Sequence, residues 1–437
     1  METTALISFI GIIVGVALFI FLSFKAMNLC VAAALGAVVI LLFNGGNIYQ
    51  GIVDFYVVGL ANAMKSYFLI FTMGGIFGKI MDTSGGAKAI AAALLKLMRK
   101  NKTNPQFFAV YFLVIMYFIL TYVGIHGFII VFTVLPIGRE LFHELDIPWR
   151  YYCYGSGGCI AAYYLLGSVS SVPSVAASLF GVHVGAAPVL SVIMFLMYLV
   201  IDGLWINHDV NSHMKKGEGF FPGGNEIWKL QMESFDENAD LPKLWQAVIP
   251  MLVMVVLAAT GTPTVIALVV GCILGIIFLW NRLKGKVKTT LNTGATSVFV
   301  ALVNVCGAAA LGTVIKNTAG FGFITGVLDN LPPTAAGLLL AFIGTCLLGS
   351  SSSSMPAFGE QTVGYFTAAG IPAATGFRVY TCATNLIYPP QNTGVVNASS
   401  TGRIAYKDAV KIYLKSTGIP NVIIMVVLII LLATGII

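Results

Sequence analysis

Apolar runs dominate the chain and are interrupted at few places. Leu6–Phe24, Leu29–Phe43, Val189–Ile206, Ala247–Ala259, Val265–Trp280 and Val422–Ile436 carry few polar side chains. Several approach the roughly 20 residues that a helix needs to cross a hydrocarbon core. None shows the period-two alternation of a transmembrane β-barrel. In lipid, the remaining way to pair every backbone group within one segment is the helix. The pattern therefore predicts an all-α, polytopic membrane protein. Composition agrees, since 58% of the 437 residues are hydrophobic and only 9% are charged. Globular proteins carry about 25% charged residues. Glu2 precedes the first run and no base does, so a cleavable signal is not expected and the run reads as a retained anchor.

The pattern also repeats. Phe68–Ile90 (FLIFTMGGIFGKIMDTSGGAKAI) is echoed by Val300–Ile324, with Gly78 opposite Gly312 and Gly86 opposite Gly320. Tyr122–Val172 is echoed by Leu348–Val396, with Asp146-Ile147-Pro148 opposite Gly370-Ile371-Pro372. A pair of apolar runs precedes each copy, and the shared order of features reads as a duplication.

Charge sets the orientation of the copies, because Lys and Arg gather in cytoplasmic loops. Bases of the first copy cluster at Lys25, between Lys88 and Lys102, and at Arg139 and Arg150, whereas the equivalent stretches 258–264, 328–333 and 365–374 have none. Conversely, Arg282–Lys288 and Arg403–Lys415 correspond to base-free 44–51 and 182–188. The copies are thus expected to be inverted. About 20 of the 24 Lys and Arg then fall on the cytoplasmic side of a cell (inner or plasma) membrane, with both termini outside. The net charge of +7 reads as topology rather than as a nucleic-acid surface.

The expected organisation is a first repeat over 1–206, a cytoplasmic linker over 207–244 and a second repeat over 245–437. Within the first, 1–82 are scaffold helices, 83–104 an interfacial helix, 105–182 a hairpin and broken helix, and 183–206 a span. The second hairpin and broken helix cover 333–405. Gly86–Arg99 places bases on one face and aliphatic residues on the other, as a helix lying at an interface does. The linker holds seven of the seventeen acids and reads as a solvated connector.

Candidate chemistry lies at two kinds of break, each occurring once per copy. Gly124-Ile125-His126-Gly127 corresponds to Gly349, Ser350–Ser354, Met355 and Pro356, and these are candidate tips of re-entrant hairpins. The stretch Gly167–Ser174, containing Pro173, corresponds to Asn385–Gly394, containing Pro389 and Pro390, and proline interrupts a helix. Irregular backbone at membrane depth persists where it is buried in protein or lines a wet cavity. Helix N-termini meeting there would suit a carboxylate.

The substrate-binding candidates are Gly124, His126, Gly127, Ser168, Ser170, Ser171, Ser351, Ser352, Ser353, Gln391, Asn392 and Thr393. Taken singly, a serine or glycine here is equally a site of close helix packing. Glu360 and His126 are the candidates for proton coupling, since ionisable groups within a span are functional candidates and imidazole titrates near neutrality. Arg378 and Lys316 are expected to reach toward the outer interface. Lys79, Asp82 and Asp202 are expected at the inner interface as structural residues. The seven cysteines show no paired spacing, so neither disulfide nor metal site is expected. With no His-Glu-x-x-His and no serine beside a convincing base, an enzyme is not expected. A channel would need a continuous pore, which paired closed hairpins oppose.

The stretches FTMGGIFGKIMDTSGGAKAIA, GFIIVFTVLPIGRELFHELDIPWR and LLGSSSSSMPAFG resemble the gluconate:proton symporter (GntP) family of the ion transporter superfamily. The resemblance covers nearly the whole chain. It implies proton-coupled import of a small organic acid, a sugar acid or hydroxy-carboxylate. It also implies a homodimer whose hairpins and broken helices move like an elevator against a scaffold of helix pairs. Where the family commonly reads Pro-His-Asn, this chain has Pro390-Gln391-Asn392, and its first hairpin tip carries His126 in place of a small residue. No cofactor is expected beyond the coupling ion. That ion is H⁺ or, alternatively, Na⁺, which hydroxyls and unwound carbonyls can hold without a titrating group.

Overall fold

The computed structural model describes residues 2–25, 27–86, 89–90, 93, 96, 104–122, 127–168, 170–229, 241–259, 262, 264–390 and 392–435. Among them there are helices and turns and no strand. Among the described residues five helices are long and apolar enough to cross a membrane, and a sixth is counted if one bent pair is a single span.

The chain opens with α1 (Glu2–Phe24) and α2 (Leu29–Asn44). Asn28 starts α2 by accepting from the Cys30 and Val31 amides, the usual work of an N-cap. Small residues let α1 and α2 approach closely: a β-carbon on Gly36 would stand 2.8 Å from the Gly15 carbonyl oxygen. A π-helical turn, Ile52–Val57, leads into α3 (Val58–Thr83), and the two parts of this span meet at 47°. Then follow α4 (Pro105–Tyr122) and α5 (Gly127–Glu144). A 3₁₀ turn (Trp149–Gly155) runs directly into α6 (Ser156–Tyr164), and an irregular stretch separates α6 from α7 (Ser171–Leu179). The half ends with α8 (Pro188–Lys216).

The second half is likewise helical among the described residues. α9 (Leu244–Ala259) and α10 (Thr264–Phe278) form a pair, followed by α11 (Val287–Ser297), α12 (Phe299–Lys316) and α13 (Ala319–Leu328). Next come α14 (Pro333–Leu348) and α15 (Ser351–Ala368), then α16 (Ala373–Ala383), a break, and α17 (Thr393–Gly402). α18 (Tyr406–Tyr413) passes through a π-helical turn (Leu414–Gly418) into α19 (Ile419–Ala433).

The halves interlock. α2 and α3 pack on α12, α1 on α13, α7 on α15 and α16, and α8 on α19. Leu6, Ile13, Val200, Leu204, Val256 and Ile430 stay exposed on outer helix faces, as side chains facing lipid do.

Two expectations change. Arg378 does not reach for an interface: it is fully buried. Its guanidinium donates to the Val184, Ala186 and Tyr164 carbonyl oxygens at 2.8, 3.0 and 3.4 Å. Those carbonyls lie at the end of α6 and in the loop after α7, where no helical amide reaches them, so the arginine is worth more inside than at the surface. Secondly, α8 runs past Ile206 to Lys216, and the stretch 217–229, though largely exposed, is anchored through the buried Phe220, Gly224 and Ile227. Phe220 is buried against His143, Trp149 and Trp228, and its amide donates to Asp146 Oδ1 at 2.8 Å. The aromatic content of this stretch supplies what its acids hide. Most of the expected interfacial helix, 83–104, lies outside the described residues.

Candidate functional site

Three helix beginnings meet around one cavity. Gly349 ends α14 at φ +72°, a conformation that costs glycine little and other residues more. That turn lets α15 restart at Ser351 beside the second break. The Gly349 carbonyl accepts from the Thr393 amide at 3.0 Å, so the turn is stitched to the first residue of α17. Asn392 caps α17, its Oδ1 accepting from the Gly394 amide at 2.8 Å. α7 begins nearby at Ser171. Val172, Ser350–Ser352 and Asn392–Gly394 all line the cavity, which has a volume of about 80 Å³ and is partly open to solvent.

The rest of the lining is neutral and polar. Tyr67, Tyr117, Tyr163, Tyr388 and Tyr413 contribute rings and hydroxyls, with Ser156, Asn385 and Asn397 between them. Among the described lining residues none is charged.

A hydrogen-bond network fixes the second break. Ser351 Oγ lies 2.8 Å from the Thr384 carbonyl and 2.9 Å from Asn385 Oδ1. Asn385 Nδ2 donates to the Thr381 carbonyl at 2.8 Å, and the Tyr388 hydroxyl donates to Asn385 Oδ1 at 3.1 Å. Asn421 of α19 donates to the Asn385 carbonyl and in turn accepts from the Tyr164 hydroxyl at 2.7 Å. Buried polar groups so connected are held in one arrangement. Helix N-termini with amides directed at a neutral cavity can hold an anion without a cationic side chain.

Residues 7–280 match the family model described as GntP family permease. The chain belongs to this family. It is similar to an uncharacterized transporter, YxjC, of Bacillus subtilis (strain 168), at 23% identity over 93% of this chain and 96% of that one. Among solved structures it is similar to the YdaH transporter of Alcanivorax borkumensis, with a TM-score of 0.40 and 14% identity over 86% of this chain and 88% of that one. This GntP-family permease is thus a multi-pass membrane transporter and not an enzyme.

Of the residues singled out in the sequence of this permease, Ser351, Ser352, Asn392 and Thr393 line the cavity. Ser168 and Ser170 are buried and pair with each other at 3.2 Å rather than lining it. Gly127 opens α5. Gly124, His126 and Gln391 lie outside the described residues, as do the side chains of Ser171 and Ser353. Glu360 is exposed on α15 and is not part of the cavity wall. Asn385 and Tyr388, which lie within the second break of the sequence, also belong to the wall. The remaining tyrosines carry no local signal, because only packing turns their helix faces to the cavity.

Proposed function

We propose that this permease imports a small organic acid, a sugar acid or hydroxy-carboxylate, by proton-coupled symport. The observation that carries the reading is the convergence of the α7, α15 and α17 N-termini on a cavity lined by hydroxyls and amides. The positive ends of the three helix dipoles suit the carboxylate, although the Thr393 and Gly394 amides of α17 are already bonded to the Gly349 carbonyl and to Asn392. Ser351, Ser352, Asn392, Thr393 and the tyrosine hydroxyls suit the hydroxyl groups of the rest of the molecule. The described wall residues carry no fixed charge for the anion to displace, so binding can be reversible on both sides of the membrane.

The reading includes an inverted repeat. The α4–α5 and α14–α15 pairs are its re-entrant hairpins, and α6–α7 and α16–α17 its broken helices. These parts move together against a homodimeric scaffold containing α1–α2 and α9–α10. The connector between the halves is cytoplasmic and both termini are outside.

Uptake of labelled gluconate and other hydroxy-carboxylates into proteoliposomes, with pH and Na⁺ gradients imposed separately, tests the core of it. Accumulation should follow the pH gradient and saturate. Uptake that ignores pH and follows Na⁺ would replace proton with sodium coupling, and the absence of saturable carboxylate uptake would sink the substrate class.

A further inference from the structure

The buried face of α8 carries two aspartates two turns apart, and the protein treats them differently. Asp209 is paired: Lys415 Nζ stands 2.7 and 2.8 Å from its two oxygens, and the Tyr154 hydroxyl donates to it at 2.8 Å. Asp202 is fully buried, and neither of its oxygens has a hydrogen-bond donor among the described residues.

Its surroundings are polar but uncharged. A β-carbon placed on Gly157 of α6 would lie 2.7 Å from Ser416 Oγ, 2.8 Å from Asp202 Oδ2 and 3.0 Å from the Tyr198 hydroxyl. Three oxygens from three elements therefore converge beside this glycine. The Tyr198 proton is committed, since that hydroxyl donates to the Ser416 carbonyl at 2.7 Å. Ser416 Oγ makes no hydrogen bond of normal length but is the hydroxyl within reach of Asp202, and it sits in the π-helical turn of the last span, a kind of defect that recurs at functional sites. The other titratable neighbours are Tyr154, whose hydroxyl is on Asp209, and Tyr111 of α4, whose hydroxyl points to the Leu199 carbonyl. No cation faces Asp202 among the described residues. An ionised carboxylate in such a place would be a buried, unpaired charge, which costs far more than a neutral carboxyl.

Position connects this group to both water and substrate. Ser156, beside Gly157, lines the substrate cavity, and so does Tyr413, three residues before Ser416. The same two segments thus touch the cavity with one face and Asp202 with the other. Along α8, Asp209 and His213 continue the buried face into a second cavity with Arg150, Lys411, Lys415 and Glu218. There the Arg150 guanidinium holds the Glu218 carboxyl below its usual range by a direct hydrogen bond.

We propose that Asp202 is the proton-binding residue of the transport cycle. This rests on the reading of the protein as a proton symporter. A proton arriving from the substrate cavity past Ser156 and Tyr413 bonds to the Asp202 carboxylate and leaves a neutral carboxyl, and the Arg150–Asp209–Lys415 cavity is its exit. When α6 and the π-helical turn shift with the occupied cavity, the carboxyl O–H bond breaks, the proton passes to water and the carboxylate remains. One proton then accompanies each cycle, and a monocarboxylate would move with no net charge.

Infrared spectra of the reconstituted full-length protein in H₂O and D₂O test the resting state without any substrate. The native protein should show a protonated-carboxyl C=O band at neutral pH that Asp202→Asn lacks. Ser416→Ala, which keeps the acid and should fold, should shift that band. A spectrum unchanged by both substitutions would overturn the proposal. In proteoliposomes supplied with labelled gluconate, Asp202→Asn should lose pH-driven accumulation at least about tenfold more than it loses counterflow, and Asp202→Glu should recover part of the difference. Equal loss of both activities in a variant of native thermal stability would reduce Asp202 to a structural role and overturn the assignment. Failure of the native protein to accumulate any hydroxy-carboxylate would instead refute the symport reading, leaving the infrared result to stand by itself.

Discussion

The two broken helices of this permease are held open by opposite means. At the first, between α6 and α7, a single buried arginine from the other half ties the Tyr164 carbonyl, which also accepts from Ser191, to the Val184 and Ala186 carbonyls of the loop after α7. At the second, between α16 and α17, no charge is used: Ser351, Asn385, Tyr388 and Asn421 satisfy one another and the backbone. The neutral break faces the cavity and the charged clamp does not. A guanidinium in the cavity would bind a carboxylate too tightly to release it, since charge-assisted pairs are the strong ones in a low dielectric. Placed behind the wall and saturated with carbonyls, the same charge stabilises the fold without competing for the substrate.

The comparison can be broken most severely at the clamp. Arg378→Met should leave the Ala186 carbonyl without its donor and weaken the hold on those of Tyr164 and Val184, which keep Ser191 and the Gly167 amide; stability should fall by about 2 kcal/mol, read as a lower thermal midpoint of the detergent-solubilised protein. Arg378→Lys should recover only part, because one ammonium cannot reproduce the spread of a guanidinium. At the neutral break the effect should move from stability to binding. Asn385→Leu removes the hub that Ser351 and Tyr388 share, and should raise the KM for carboxylate uptake by on the order of tenfold or more, with a smaller fall in the thermal midpoint than Arg378→Met produces.

Ser352→Ala combined with Asn392→Ala takes away a wall hydroxyl and the α17 cap. About tenfold weaker binding is expected, seen as a smaller ligand-induced rise in thermal stability; wild-type affinity would move the site elsewhere. Least of all should be felt at Glu360. Lying exposed on α15, its change to Gln should leave pH-driven accumulation within about twofold, as surface substitutions usually do, and a complete loss of accumulation would return proton coupling to that residue.

Much of the site was legible because breaks in apolar helices are rare and conspicuous. Ser351, Ser352, Asn392 and Thr393 were readable as cavity residues from the serine run and the Tyr-Pro-Pro-Gln-Asn stretch alone. Asp202 was not. In sequence it stands four residues before Ile206, near the expected end of a span, and looked like an interface residue. The helix in fact continues to Lys216, which moves Asp202 inward by more than two turns. Arg378 misled for a related reason: a lone arginine near a span end has a surface explanation, and its buried carbonyl partners come from the other half of the chain.

The sequence by itself determined the all-helical membrane class, the family and the positions of the main interruptions between helices. These follow from local properties: apolar run length, proline and glycine, and the spacing of bases. Only the tertiary structure decided which interruptions share a cavity, which tyrosines face it, and which of two aspartates on one helix meets a lysine. Those outcomes depend on partners more than two hundred residues away, such as Lys415 for Asp209 and Ser416 beside Asp202. No local pattern encodes such a distance; packing sets it.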